Sequence, residues 1–199
     1  MGNDPDWRDL ITWKFEGPRF EDHGVDLEAL ADLAAFRDLL VGTAKDLWRR
    51  DNPSRERLPK GFEDKLRLKV FQLVPGESVA MPILYQHEDP GTLPGIDDPR
   101  EVSSKLPRAA KLVVLAVRAA ERDEPLPEDL PRLLIAQFGS IGSRLGANDC
   151  VRLVVANEEP ALLTQKSRER LVAVAQASWE DAVDVTGEVT MASLRGQAT

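Results

Sequence analysis

The chain has very few of the residues from which disulfides and metal sites are built, with one cysteine and two histidines among 199 residues. The single cysteine, Cys150, excludes an internal disulfide framework and is typical of a protein from a reducing compartment. The longest apolar run, residues 112–117, is far too short to cross a bilayer. The acidic start of the chain lacks the apolar core of a secretory signal. Together these absences predict a soluble cytoplasmic protein with no membrane partner.

The chain also lacks an excess of positive charge. Its 34 acidic residues outnumber its 26 lysine and arginine residues, and the net charge is −8. Such a chain repels a nucleic-acid backbone unless its basic residues cluster. One concentration exists, and its members are Arg49, Arg50, Arg55, Arg57 and Lys60. Acidic residues interrupt it and no aromatic residue is interleaved for base stacking. We therefore interpret it as a solvated helix end and expect no nucleic-acid partner.

What the chain does contain is the ordinary material of a globular domain, with 42% hydrophobic and 30% charged residues. An amphipathic helix is predicted over residues 27–49. Asp26 is a good N-cap for it, and Asn52-Pro53 stops it. Its apolar face recurs at spacings of three and four residues and consists of Leu30, Leu33, Phe36, Leu40, Thr43 and Leu47.

Alternation of apolar and polar residues predicts strands near 11–16, 64–73, 78–85 and 151–156. The second and third of these are expected to form an antiparallel hairpin around a type II turn at Pro75-Gly76. Pro82 favours an edge position for the returning strand, because proline cannot donate a hydrogen bond to a ladder.

Further helices are predicted between residues 104 and 145 and after Thr164. The segment 112–117 is apolar on every helical face, which places it between two layers or at a subunit interface. We favour burial within a monomer, with a homodimer as the alternative. A second apolar stripe predicts a helix that ends at Gly146. Its members are Leu134, Phe138, Ile141 and Leu145.

These elements predict an α/β or α+β fold, in which a small sheet containing an antiparallel hairpin is packed by three to four helices. Residues 1–181 are assigned to this domain. Residues 182–199 are assigned to a C-terminal strand that could begin a truncated β-module, since Val183 and Val185 show the alternation of a strand.

Candidates for chemistry are few. His23 and His87 each stand beside carboxylates and could together supply a metal site of imidazole and carboxylate ligands. No motif fixes their separation, and surface residues flanking turns explain both clusters equally well. Cys150 lacks a spaced base and is interpreted as a small buried residue rather than a nucleophile.

The glycine-rich segment 139–146 has the composition of a phosphate-binding loop. Its spacing fits neither G-x-G-x-x-G nor the P-loop, and no strand leads into it. Small residues that allow a helix to pack closely are the better interpretation. We therefore assign no catalytic, cofactor-binding or metal-ligating residue, and we expect no cofactor.

Several stretches of the chain resemble an uncharacterised family of bacterial cytoplasmic proteins. They are residues 15–17, 33–50 and 58–63, the hairpin around residues 75–78, and the segment from Leu130-Pro131 to Gly142 and Leu145. In such proteins a small β-module often follows an N-terminal α/β domain, and residues 185–189 resemble its beginning. The resemblance brings with it no activity and no functional residue.

Coherent fold signals without an arranged nucleophile, acid–base pair or metal spacing favour a non-enzymatic function. The expected function is a protein-interaction or regulatory module of the bacterial cytoplasm with an unknown protein partner. The alternative is an enzyme, a metal-dependent hydrolase that uses His23 and His87 with their neighbouring carboxylates.

Overall fold

The computed structural model describes residues 5–22, 24–75, 79–87 and 99–177. The strands within these ranges are β1 (Asp6–Glu16), β2 (Leu68–Val70), β3 (Val74–Pro75), β4 (Val79–His87), β5 (Cys150–Val154) and β6 (Ala161–Leu163). The α-helices are α1 (Leu27–Asp51), α2 (Pro99–Ser103), α3 (Lys105–Arg122), α4 (Arg132–Ile135) and α5 (Gln165–Ala177).

The strands form one antiparallel sheet in the order β2-β4-β1-β5-β6. The short strand β3, which follows β2 in the chain, also pairs with β4. An antiparallel sheet packed by helices is an α+β fold, so the predicted fold class is confirmed. The predicted hairpin is confirmed as well, with β2 and β3 in one arm and β4 in the other. Gly76, in the predicted turn, lies outside the described residues.

Strand β1 begins earlier than its predicted start at Ile11. The register between β1 and β4 shifts between Asp9 and Ile11, which is a β-bulge. Leu10 and Ile11 are consequently both buried, although they are neighbours in the chain. The bulge interrupts the alternation on which the prediction depended. Beyond it, Trp13 and Phe15 are fully buried on the face that the helices cover.

The predicted edge position of the strand carrying Pro82 is wrong, because β4 lies between β1 and β2. The backbone N–H of Gln86 donates to the carbonyl of Arg67 at 3.1 Å. Alternate residues of a strand direct their backbone groups to the same side, so Pro82 directs its nitrogen towards β2 as well. Strand β2 ends at Val70. If it continued, Phe71 would lie opposite Pro82 and would need a backbone N–H that proline lacks. Proline is therefore tolerated because it terminates the neighbouring strand.

Helix α1 confirms the predicted helix and its apolar face, with two differences. Phe36, Leu40, Thr43 and Leu47 are buried, but Leu30 is 40% exposed. Asp26 occupies the N-cap without a capping hydrogen bond, because its carboxylate pairs with Arg19.

Helix α3 supplies the centre of the core. Its apolar segment is largely covered within the chain, but Leu112 and Leu115 are only partly buried. Val113, Val114, Ala116 and Val117 are all fully buried. Its main neighbours are α1, α5 and β6. No helix in the described ranges is both long and apolar enough to cross a membrane.

The predicted regular helix ending at Gly146 is wrong. Only α4 is α-helical there, followed by a 3-10 turn over residues 136–139 and further turns. Gly142 has a φ of 68°, which a right-handed helix does not allow. Strand β6 was not predicted, and the turn before it includes Asn157 with a φ of 62°. The predicted strand of residues 182–199, and with it the boundary at 181, lies outside the described residues.

Candidate functional site: a groove beside a sheet edge

A groove lies between α1 and the sheet edge formed by β2. Its narrow part is a cavity of 140 Å³. The walls of this cavity are Leu33, Phe36, Arg37, Leu68, Lys69, Val70 and Ile83. A second cavity, of 510 Å³, shares Arg37, Leu68 and Lys69 with the first and therefore adjoins it. The groove thus has an apolar floor, with Arg37 beside it, and charged residues of both signs line its wider part: Glu63, Asp64 and Arg67.

Helical and strand periodicity explain why these side chains converge. On α1, Leu33, Phe36 and Arg37 are three and four residues apart and share one face. On β2, Leu68 and Val70 lie opposite the buried Tyr85 and Ile83 of β4, so they point to the helix-covered side. Lys69 points to the opposite, open side of the sheet.

The edge beside the groove exposes much apolar surface. The exposed fractions are 40% for Val70, 59% for Phe71, 52% for Leu73 and 39% for Val74. The ring of Trp7 packs edge-on against Phe71 with 5.5 Å between the ring centroids. An exposed apolar sheet edge of this kind marks an interaction surface or an aggregation hazard.

The backbone of β2 has hydrogen-bonding groups that point away from the sheet, on the outer side of this edge. The carbonyl of Arg67 accepts from β4, so alternation directs the backbone groups of Lys69 to β4 as well. The N–H and C=O groups of Leu68 and Val70 are then directed outwards. In the part of the chain that the structure describes, β2 is the last strand on this side and none pairs with those groups.

Positive charge predominates on the strand itself. Lys69 places Nζ 4.8 Å from the ring centroid of Trp7, over the open face. Arg67 donates from Nε to the backbone carbonyl of Asp64 at 3.3 Å. The nearby Glu63 pairs with Lys45, whose hydrogen bond lowers the pKa of that carboxyl. Of the two acidic residues that line the wider cavity, Glu63 is therefore engaged by a cation of this chain.

The described members of the two histidine clusters are not brought together. His87 pairs with Asp6 at the start of β1. Phe20 stacks on Phe15 near the other end of that strand, and Glu21 follows directly. At about 3.3 Å per residue, the two ends are about 30 Å apart.

His23, Glu88 and Asp89 lie outside the described residues. Within the ranges that are described, no three His, Cys, Asp or Glu side chains are placed to hold a metal ion. The hydrolase alternative therefore stays a prediction.

Cys150 has the electrostatics of an unreactive thiol. Burial, followed by the negative charge of Glu16, raises its pKa above the ordinary value. Its Sγ lies 3.8 Å from Oε2 of Glu16. That carboxylate is held by Arg152 through two hydrogen bonds of 2.8 and 2.9 Å. A cysteine nucleophile needs the opposite shift, towards the thiolate.

The glycine-rich segment 139–146 binds carboxylates of its own chain. The N–H of Gly142 donates to Oδ2 of Asp32 at 3.1 Å, and the N–H of Gly146 donates to Oδ2 of Asp149 at 3.0 Å. Backbone N–H groups are what a phosphate-binding loop offers to its ligand. Here two such donors are already occupied, which supports the structural interpretation of this segment.

The basic cluster is partly committed to internal contacts. Arg50 pairs with Asp46 at 2.7 Å and with Asp129 at 3.2 Å. The guanidinium of Arg55 lies 5.8 Å from the ring centroid of Trp48. These contacts fit the interpretation of a helix end, while the absence of a nucleic-acid partner stays a prediction.

A larger cavity of 610 Å³ lies between the loop of residues 124–131 and α5. Its wall includes Arg170, which pairs with Asp123 and donates to the carbonyl of Glu124 at 3.2 Å. The polar groups of Arg170 thus hold the loop to the helix.

Comparisons with known proteins found no matching family model, no matching curated protein and no matching solved structure. The resemblance to bacterial cytoplasmic proteins therefore stays a prediction.

Sequence reasoning missed this groove. The available signal was the run Val70, Phe71, Leu73 and Val74, in which apolar residues occupy both faces of a strand. Both faces of an interior strand can be apolar, so the run becomes informative only once β2 is known to lie at an edge. That position depends on the pairing of β4 with β1, which is not local in sequence.

Proposed function

We propose that this chain is a non-enzymatic protein-interaction module of the bacterial cytoplasm that binds an extended segment of a partner protein along β2. The observation that carries the proposal is the outward direction of the Leu68 and Val70 backbone groups beside an apolar groove. In recognition by strand addition, backbone hydrogen bonds give affinity and pockets for alternate side chains give specificity. Both components are present at this edge.

Apolar burial supplies the driving force. Fully burying an exposed valine or phenylalanine side chain is worth about 1.5–3 kcal/mol. A segment paired to β2 would cover Val70 and Phe71, and its inward side chains would contact Leu33 across the groove. The ordering of the partner segment opposes this gain.

The length of β2 limits the affinity. Pairing is available only as far as Val70, because Pro82 ends the ladder at that point. A strand added over so few residues makes a small interface, of the class found in transient complexes. We expect a dissociation constant in the micromolar range, which corresponds to a binding free energy of about −8 kcal/mol.

The test removes one outward donor from the edge. A random ten-residue peptide library displayed on phage is selected on the purified protein, and selected peptides are measured by fluorescence anisotropy. In Val70→Pro the outward N–H is lost while the ladder to β4 is kept. We expect binding to weaken about tenfold or more, since a buried partner group is left unpaired.

Val70→Thr is the matched control, because it keeps the N–H and the branched shape of the side chain. It should retain binding within a few-fold, and Leu133→Ser, at a distant exposed site, should retain it fully. Circular dichroism should show both Val70 variants folded. Failure of the library to yield any binder, or binding that is unaffected by Val70→Pro, would contradict the proposal.

A further inference from the structure

Lys69 occupies the centre of the edge that would receive the partner segment. It lies between Leu68 and Val70, and its side chain is on the open face of the sheet. Its Nζ is 4.8 Å from the ring centroid of Trp7 and 5.9 Å from that of Phe71. The two aromatic rings hold the ammonium group over the open face of the sheet.

The pleat of a strand fixes which partner residues meet which side of the edge. The partner residue opposite Lys69 lies on the same open face, with Cβ atoms about 4.5–5.5 Å apart. Its two chain neighbours lie opposite Leu68 and Val70 and point to the other face. There they meet the apolar floor of the groove, which includes Leu33.

Resting on the proposed function, we infer that the partner segment carries an aspartate or glutamate opposite Lys69, with an apolar residue on each side of it. An acidic residue there forms a cross-strand pair of opposite charges, whereas lysine or arginine forms a pair of like charges. The apolar neighbours fill the groove. The occupant is therefore an apolar–acidic–apolar stretch of another protein in extended conformation.

The same geometry disfavours one way in which a second copy of this chain would pair with the edge. When two β2 edges pair about a twofold axis with Leu68 opposite Val70 of the other copy, Lys69 lies directly opposite its own counterpart. Like charges in directly opposed positions are destabilising, so this register is unfavourable, whereas an acidic strand places an opposite charge there.

The test repeats the library selection on three proteins: wild type, Lys69→Glu and Lys60→Glu. The two variants change the net charge equally, but Lys60 is an exposed residue outside the groove. Sequenced pools from wild type and Lys60→Glu should be enriched in an acidic residue between apolar residues. The pool from Lys69→Glu should be enriched in lysine or arginine at that position.

A single selected peptide gives the magnitude. Replacing its central acidic residue by lysine should weaken binding to wild type about threefold to tenfold and strengthen binding to Lys69→Glu by a similar factor. Lys69→Gln should bind both peptides with nearly equal affinity, and this milder variant serves if the charge reversal disturbs folding.

The outcomes separate this inference from the proposed function. If no pool contains binders, strand addition itself is wrong. If binders lose affinity in Val70→Pro but the wild-type and Lys69→Glu pools share the same central residues, strand addition holds and the acidic specificity is wrong. A wild-type dimer in light scattering that dissociates in Val70→Pro would show that a second copy takes the edge, and would overturn the inference.

Discussion

Asp32 is the residue whose environment departs furthest from what its position in the sequence suggests. It lies on α1 at the border of the predicted apolar face, and although it carries a charge it is only 2% exposed. One carboxylate oxygen accepts from Gly142, and the other is buried without a hydrogen bond, 3.9 Å from Nη1 of Arg144. Burial raises the pKa of this carboxyl, against opposing effects of the Gly142 hydrogen bond and Arg144.

This raised pKa gives a prediction for Asp32→Asn. A carboxyl whose pKa is higher in the folded than in the unfolded chain makes folding less favourable as pH rises. The free energy of unfolding of wild type should therefore fall as pH rises from about 3.8, the ordinary pKa of the carboxyl, through its higher folded-state pKa. Asparagine does not titrate and can still accept from Gly142. The free energy of unfolding of the variant, relative to wild type, should therefore increase from pH 3.5 to pH 7.

Urea unfolding at several pH values measures this difference. A relative stability that stays constant over the range would show that the carboxylate carries no net penalty. A relative stability that falls with pH would show that Arg144 and its neighbours more than compensate the buried charge.

At the scale of single elements, the start of α5 is the clearest case of a local signal that the structure bears out. Thr164 accepts from the N–H of Ser167 at 3.2 Å, and Ser167 Oγ accepts from the N–H of Thr164 at 2.9 Å. These reciprocal bonds satisfy donors that a helix start leaves free. Ser167 Oγ also lies 3.1 Å from the carbonyl of Leu162, which ties the helix to β6.

Thr164→Ala removes the capping hydroxyl while leaving the rest of α5 in place. We expect a loss of about 1 kcal/mol in the free energy of unfolding. Thr164→Ser keeps the hydroxyl and should lie close to wild type, so the pair isolates the cap. Equal stabilities of the alanine and serine variants in thermal or urea unfolding would contradict the assignment.

At the scale of the whole molecule, α3 is the central helix of the core. Its buried face contacts α1, α5 and β6, and Val114 is fully buried among them. Because this face is covered within one chain, the chain does not need a second subunit to bury it. The monomeric state itself stays a prediction, and light scattering measures it.

Val114→Asp should abolish cooperative folding, because it places an unpaired charge in an apolar setting. The penalty for such a group is several kcal/mol, comparable to the whole stability of a domain. Leu133→Asp makes the same kind of change at a site that is 69% exposed, and it should shift stability by about 0.5 kcal/mol or less. A folded Val114→Asp variant in circular dichroism would show that this face is not part of the core.

The candidate site was only half predictable. The alternation of Leu66, Leu68 and Val70 predicted one arm of the hairpin, although the regular strand begins only at Leu68. The groove needed two further facts: α1 lies beside this arm, and no described strand covers it. Neither fact has a local signature, because both depend on how elements distant in sequence pack.

The sequence by itself determined the elements whose signals are local. Helix α1, the hairpin, β5 and the start of α5 follow from periodicity and capping, which act between residues a few positions apart. Only the tertiary structure decided the sheet order, the bulge at Leu10, the burial of Asp32 and the open edge at β2. Each of these depends on a partner far along the chain, and the free energy of such a contact exists only once the chain has folded around it.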